Sequence, residues 1–286
     1  MRQSRLQRPA RFVARVVVSI GATAAVIVLL SLLSPHAWIT TQPMLAIRAA
    51  IAKPETPRAR ASAKSETKRE AKRKAKHNQA DALVDVASLD DRFILDIRYA
   101  TNDNFFNQKV YEAPRCILLA PVAERMLKAQ RWLDEHHRNL GLRLMFKDCY
   151  RPNHVQFIMW KAVAGTPKAR YVANPHTKTG SIHSYGAAVD LTLADAEGRE
   201  LDMGTPYDFL GRLAEPRHEA AYLADGKLTP DQVQHRRILR SAMVEGGGMH
   251  TIPNEWWHFN AAPAKVIRTR HRRLDVPFSN VPTGQE

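Results

Sequence analysis

Two histidine–carboxylate clusters constrain this chain more than any other feature. The stretch Ser181-Ile-His-Ser-Tyr-Gly-Ala-Ala-Val-Asp190 sets His183 and Asp190 seven residues apart with Gly186 between them. Downstream, Glu255-Trp-Trp-His258-Phe259 supplies a second imidazole and a second carboxylate. Two His, one Asp and a spare Glu are the parts of a catalytic zinc site, which has three protein ligands, an open position for water and a base that stays off the metal. On a flat strand an offset of seven sends the two side chains to opposite faces. His183 and Asp190 therefore share an ion only if the segment bends, and Gly186 is where it can. Alone, this pair fits an ordinary surface or core histidine as well as a ligand. The second cluster favours the metal: with His258 as a ligand, Glu255 three residues earlier is left beside the ion, within reach of a water's proton. Trp256 and Trp257 serve to exclude water or to pack a core. The order differs from the helical HExxH of other metalloproteases. A third element, Asp148-Cys-Tyr-Arg151-Pro152, sets an arginine at the end of an expected strand. There Arg151 either enters a cleft to hold a developing oxyanion or pairs with Asp148.

The charge of the 286-residue chain is divided unevenly. Its formal net charge is +15, but residues 1–15 hold five Arg and no acid, and residues 48–76 hold eleven Lys/Arg against three acids. Residues 81–286 are close to neutral, with 27 Lys/Arg and 25 Asp/Glu. A nucleic-acid-binding domain carries its basic charge on the folded part, so no nucleic-acid partner is expected. The five arginines precede an uncharged apolar run from Val16 to Leu33, eighteen residues long, near the lower limit for crossing a bilayer. A basic flank before such a run leaves the N-terminus in the cytoplasm and exports the remainder. The run is long for a signal peptide and no clean small-x-small site follows it, which favours an uncleaved signal anchor over a cleaved signal. Residues 34–80 form a linker whose basic part has no apolar face and cannot offset its ordering entropy. It reads as a solvated tether, with anionic lipid or an anionic wall polymer as the partner its charge would suit. Cys116 and Cys149 have no metal-binding spacing; an oxidising compartment allows them to pair, and buried free thiols are the alternative.

The folded part is expected over residues 81–286. Leu89–Tyr99 reads as a strand and Ala100–Phe105 as a polar turn. Pro121 opens a helix whose apolar stripe, Val122, Met126, Leu127, Trp132 and Leu133, runs toward Gly141. Leu142–Asp148 reads as a strand, His154–Ala164 as a helix, Gly186–Leu193 as a strand ending in a polar turn. Thr229-Pro230 opens a helix reaching Gly246-Gly-Gly248, and Glu255–Asn260 is the last strand. There is no βαβ rhythm and no Gly-rich phosphate loop, so the fold class is α+β.

The pattern Ser-x-His-x-x-Gly-x-Ala-x-Asp, then Glu-Trp-Trp-His-Phe, with Asp-x-Tyr-Arg-Pro upstream, resembles the D-alanyl-D-alanine dipeptidases. These zinc enzymes are known from vancomycin resistance and share a fold with the hedgehog signalling domain. The resemblance covers residues 85–270 and includes Ile97-Arg-Tyr-Ala-Thr-Asn-Asp-Asn-Phe105, Val110-Tyr111 and Leu201-Asp-Met-Gly-Thr-Pro-Tyr-Asp208. It implies one small mixed or antiparallel sheet flanked by helices. It implies one zinc ion held by His183, Asp190 and His258, Glu255 as general base and acid, and Arg151 stabilising the tetrahedral intermediate. Ser181 and Tyr111 match positions that hold the dipeptide's C-terminal carboxylate, Asp208 one near its free ammonium, and Tyr99 and Asp148 pocket positions. The implied reaction is hydrolysis of D-Ala-D-Ala in peptidoglycan metabolism. Family members include soluble cytoplasmic enzymes, whereas this chain is expected to be exported to the periplasm or cell envelope and held at the inner membrane. Two other functions fit the same metal set: a D,D-carboxypeptidase trimming cell-wall peptides, which needs an open groove, and a wall-binding module with a structural zinc.

Overall fold

The computed structural model describes Arg69 and residues 82–283. The expected basic flank, the apolar segment and all of the linker except Arg69 lie outside the described residues. Among the described residues no helix is long and apolar enough to cross a membrane.

The architecture is α+β around a five-stranded sheet. Its strands are β2 (Ile94–Leu95), β4 (Arg143–Asp148), β5 (Ala188–Ala194), β7 (His258–Asn260) and β6 (His250–Thr251), side by side in that order. β2 runs parallel to β4, and every other neighbouring pair is antiparallel. The central strand β5 is buried at every position. Its sequence, Ala-Val-Asp-Leu-Thr-Leu-Ala, is accordingly apolar at all but two positions, as a strand covered on both faces must be. The register sets Asp148 opposite Asp190 and Asp190 opposite His258. Directly opposed residues share a face, so one row across the three central strands carries three of the expected site residues.

A two-stranded ribbon, β1 (Leu83–Asp85) with β3 (Ile117–Leu119), leads into α1 (Ala120–His136). Pro121 sits in the first turn of α1, where its missing N–H is no loss. Val122, Met126, Ala129 and Leu133 form the buried face. Four further helices follow: α2 (Asn153–Val163), α3 (Glu219–Ala224), α4 (Pro230–Ser241) and α5 (Ala264–Arg270). Thr229 and Gln232 form a capping box at the start of α4, which runs on into a π-helical turn, Ala242–Gly246. That turn lies so close to α1 that a Cβ on Gly246 would stand 2.5 Å from the Trp132 Cβ. Cys116, just before β3, is disulfide-bonded to Cys149, just after β4.

Two expected strands are shorter than the pattern suggests. Of Leu89–Tyr99 only Ile94 and Leu95 pair. Asp90 accepts from the Arg92 amide in a turn before them, and a 3-10 turn, Arg98–Ala100, follows. Of Glu255–Asn260 only His258–Asn260 pair within the sheet; the Trp256 indole turns aside to donate to the Thr205 hydroxyl. The sheet also contains one parallel pair, β2 and β4, connected across α1.

Candidate metal centre and active site

His183 does not lie on β5. It opens a 3-10 turn, His183–Tyr185, closed by Gly186 at φ 64°. That left-handed residue, easy only for glycine, swings the imidazole back over the strand. There His183 Nε2 stands 3.2 Å from Asp190 Oδ1 and 3.1 Å from His258 Nδ1, and His258 Nδ1 is 2.9 Å from the same Asp190 oxygen. The bend at Gly186 thus brings together what an offset of seven would separate.

The protonation of the cage follows from what lies behind it. His183 Nδ1 is 2.7 Å from the Cys149 carbonyl, and His258 Nε2 is 3.0 Å from Asn260 Oδ1. Both partners are acceptors, so around a bound metal each ring would keep its proton on that side and turn a lone pair inward. Two imidazole nitrogens and a carboxylate oxygen would then converge on one ion. Tetrahedral zinc with N and O ligands separates neighbouring donor atoms by about 3.3 Å, close to the three distances here. Among the described residues this is the one group of His, Cys, Asp or Glu whose donor atoms could hold a metal. The remaining Asp190 oxygen faces the Tyr207 hydroxyl at 3.1 Å, so every ligand has a fixing partner. Burial pushes the Asp190 carboxyl up, but the imidazoles, His183 foremost, outweigh it and hold the group below the usual carboxylate range.

Arg151 and Asp148 form a buried pair beside the cage. Arg151 Nε donates to Asp148 Oδ2 at 3.0 Å, Nη2 donates to the same oxygen, and Nη1 donates to Gln156 Oε1 at 2.7 Å. Asp148 Oδ1 accepts from the Tyr111 hydroxyl at 2.6 Å and from the Cys149 amide. The guanidinium lies over the Tyr99 ring and 4.0 Å from Asp190 Oδ2. Burial would favour the neutral guanidine, yet the Asp148 charge holds Arg151 protonated far above neutrality. Arg151 is thus paired with Asp148 and also lines the cavity.

That cavity, of about 250 Å³, is lined by Tyr99, Arg151, Ser181, His183, Asp190, Asp208, Glu255 and His258, with Tyr171, Leu210 and Arg268 among its other walls. It falls below the usual range for drug-sized ligands. Glu255 Oε2 is 3.9 Å from His258 Nδ1, outside the cage but beside it. Burial first, then the charges of Asp190 and Asp208, push its carboxyl up to about 8; a divalent cation in the cage would draw it back down. Asp208, at φ 62°, accepts from the Tyr99 hydroxyl at 2.9 Å and is likewise pushed up to about 8, by burial and by Asp190. Ser181 Oγ accepts from the His183 amide and is almost wholly buried.

Eight of the ten residues singled out in the sequence line one cavity. Tyr111 and Asp148 stand behind its wall, where they fix Arg151. Sequence reasoning missed Asn260, Tyr207, Gln156 and Arg268. Asn260 shares a strand face with His258 at an offset of two, and Tyr207 adjoins Asp208, so both left a signal. Gln156 and Arg268 arrive from helices whose spacing carries none.

A family model described as D-ala-D-ala dipeptidase matches residues 79–281. The D-alanyl-D-alanine dipeptidase of Escherichia coli (strain K12) is 33% identical over 186 residues, covering 64% of this chain and 86% of the relative. The enzymes of that name from Enterococcus faecium and Enterococcus faecalis (strain ATCC 700802 / V583) are 32% and 31% identical, each over 57% of this chain and 83% of the relative. The chain belongs to the D-ala-D-ala dipeptidase family of peptidases.

Proposed function

We propose that the chain hydrolyses the dipeptide D-Ala-D-Ala to two D-alanines, using one zinc ion held by His183, Asp190 and His258. The convergence of three donor atoms, within 3.2 Å of one another, carries the reading, because it matches the spacing of ligands around one zinc ion. When bound, zinc supplies a Lewis acid and brings a water's pKa toward neutrality. Glu255 takes the water's proton and returns it to the leaving amino group. Arg151, fixed by Asp148, Gln156 and, through Asp148, Tyr111, sets its charge against the oxyanion that forms at the scissile carbonyl. The ends of the substrate are opposite in charge, and so would be the ends of the cavity once a zinc charge offsets Asp190 and lets Asp208 ionise. Asp208, oriented by Tyr99, suits the ammonium. Ser181 suits the carboxylate together with Arg268, whose guanidinium is set beside it by hydrogen bonds to the Thr179 and Gly180 carbonyls.

We assign the same activity to cell-wall metabolism outside the cytoplasm. The five leading arginines and the Val16–Leu33 run support export with retention at the inner membrane, and the Cys116–Cys149 bond suits an oxidising compartment. The chain is divided on this reading into a basic flank (1–15), an apolar segment (16–33), a linker (34–80) and a catalytic domain (81–286); the family match, which begins at residue 79, bears on the last boundary alone. Fractionation of cells expressing the full chain tests the anchor: the protein is expected with the membranes, and recovery in the soluble fraction would remove it from the proposal.

The test of the activity is release of D-alanine by the full-length chain from D-Ala-D-Ala and from a pentapeptide ending in D-Ala-D-Ala, with and without chelator, beside Glu255→Ala. Turnover of the dipeptide alone, lost with chelator and in the variant, is expected. Cleavage of the pentapeptide by the unmodified chain would replace the dipeptidase with a carboxypeptidase. Inertness of a folded, zinc-loaded protein toward both would leave a binding role.

A further inference from the structure

The carboxylate of Glu215 is fully buried, yet it lies far in sequence from the catalytic groups. Glu215 follows the Asp208–Leu210 wall of the cavity and precedes α3. Its Oε1 accepts from Arg170 Nη2 at 2.7 Å and from the Tyr171 hydroxyl at 2.8 Å. Its Oε2 accepts from Arg217 Nη2 at 2.7 Å and Nε at 3.0 Å, and faces His218 Nε2 at 3.1 Å. Arg217 and His218 are its own neighbours in sequence. Arg170 and Tyr171 come from the 3-10 turn Pro167–Tyr171, and from there the chain runs on into the cavity lining through Val172, Ala173, Gly180 and Ser181. Glu215 thus joins two segments, 164–181 and 202–218, each of which contributes residues to the cavity lining. Among the described residues, every hydrogen bond joining these two segments ends on Glu215.

We propose that Glu215 is a latch that fixes Tyr171 and the segment behind it against the Asp208 wall, and so limits the substrate to two residues. This rests on the dipeptidase reading above. Tyr171 is the link, since its ring lines the cavity while its hydroxyl is held by Glu215. A residue added beyond the ammonium that Asp208 receives needs room beside Asp208, and Leu210 and Tyr171 line the same cavity. The latch denies it that room by holding Tyr171 in place. A buried carboxylate with two arginines, a tyrosine and a histidine around it is well matched to stay ionised and shut. Glu215→Gln keeps the shape while removing the charge that gathers the cations.

The test compares wild type, Tyr171→Phe and Glu215→Gln, each as the full-length zinc-loaded chain, on D-Ala-D-Ala and on a tripeptide with one residue added to its amino end. Amide hydrogen exchange over residues 164–181 and 202–218 is measured alongside. Both variants are expected to raise the tripeptide-to-dipeptide ratio of kcat/KM by about tenfold or more, Glu215→Gln the more strongly, with zinc content unchanged. Glu215→Gln should also speed exchange in both segments. Folded variants with the wild-type ratio and wild-type exchange would overturn the latch. If wild type hydrolyses neither peptide, the dipeptidase reading fails by itself, and exchange alone decides whether Glu215 ties the two walls. If Glu215→Gln does not fold, Tyr171→Phe, which loses one hydroxyl, carries the comparison.

Discussion

In the proposed mechanism Glu255 and Arg151 act on the same carbonyl by different means, so their losses should look different. Glu255→Gln removes a proton carrier but no ligand. We expect kcat to fall by about 10²–10⁴-fold with zinc content unchanged, measured by steady-state kinetics and metal analysis on one preparation. Arg151→Ala should lower kcat by about 10²–10³-fold. It should also destabilise the fold by about 3–5 kcal/mol, because Asp148 is left charged and buried without its main partner; chemical denaturation reads that loss. Asp208 offers a test in pH. Its carboxyl is pushed from 3.8 up to about 8, chiefly by burial, so in the folded chain it keeps its proton where the unfolded chain has lost it. The stability this supplies is whole below its ordinary value and is lost as pH rises through about 8. The Tm of metal-free protein should therefore fall across that interval, and Asp208→Asn should flatten the part of the fall that Asp208 causes. His183, Asp190, His258 and Glu255 could be singled out in the sequence because a zinc site takes those residue types in small clusters, whereas the role given to Arg151 came from the family resemblance. Gln156 and Arg268 were not legible, because a residue that supports a site from a distant helix obeys only the spacing of that helix.

At the scale of elements, Gly186 and the disulfide set the geometry that the ligands use. Gly186→Ala would force a side chain into a left-handed residue, with its Cβ 3.0 Å from Leu83 Cδ2 and 3.4 Å from Leu119. We expect a loss of about 1–3 kcal/mol and weaker zinc retention, since the turn that carries His183 must shift; thermal melts and chelator competition measure the two. The bend itself was legible, because two ligands seven apart on a strand need one. Joining β3 to the end of β4, the disulfide holds the Cys149 carbonyl on which His183 Nδ1 rests. Replacing both cysteines with serine should cost about 2–4 kcal/mol and loosen zinc in the same competition assay. The cysteine count allowed this pairing without deciding it, since connectivity depends on where β3 and β4 meet in space. Long periodic elements such as α1 and α4 were legible in place and at their starts, although α1 ends at His136, short of Gly141, and α4 gives way to the π-helical turn at Ala242. β2 and β7 were overestimated because turns at Asp90 and at Trp256 override an apolar run. The short strands β1 and β3 and helix α5 were not legible, since segments of three and seven residues carry too little period.

For the whole molecule, the sequence separated a basic N-terminal part from a nearly neutral folded part, and that division predicts where salt will matter. Binding of the full chain to vesicles rich in anionic lipid should weaken with rising ionic strength, while hydrolysis of D-Ala-D-Ala by the same preparation should change little. Co-sedimentation and D-alanine release measure the two. The size of the cavity was not legible, because it depends on loops that meet only after folding. The cystine behind His183 has one further consequence, which concerns time. A chain newly made in reducing surroundings carries every residue of the site but lacks the covalent clasp that steadies one of its ligands. Its hydrolytic power would ripen only after the thiols are oxidised, and D-Ala-D-Ala still waiting to be built into wall precursors would meet an enzyme not yet fully armed.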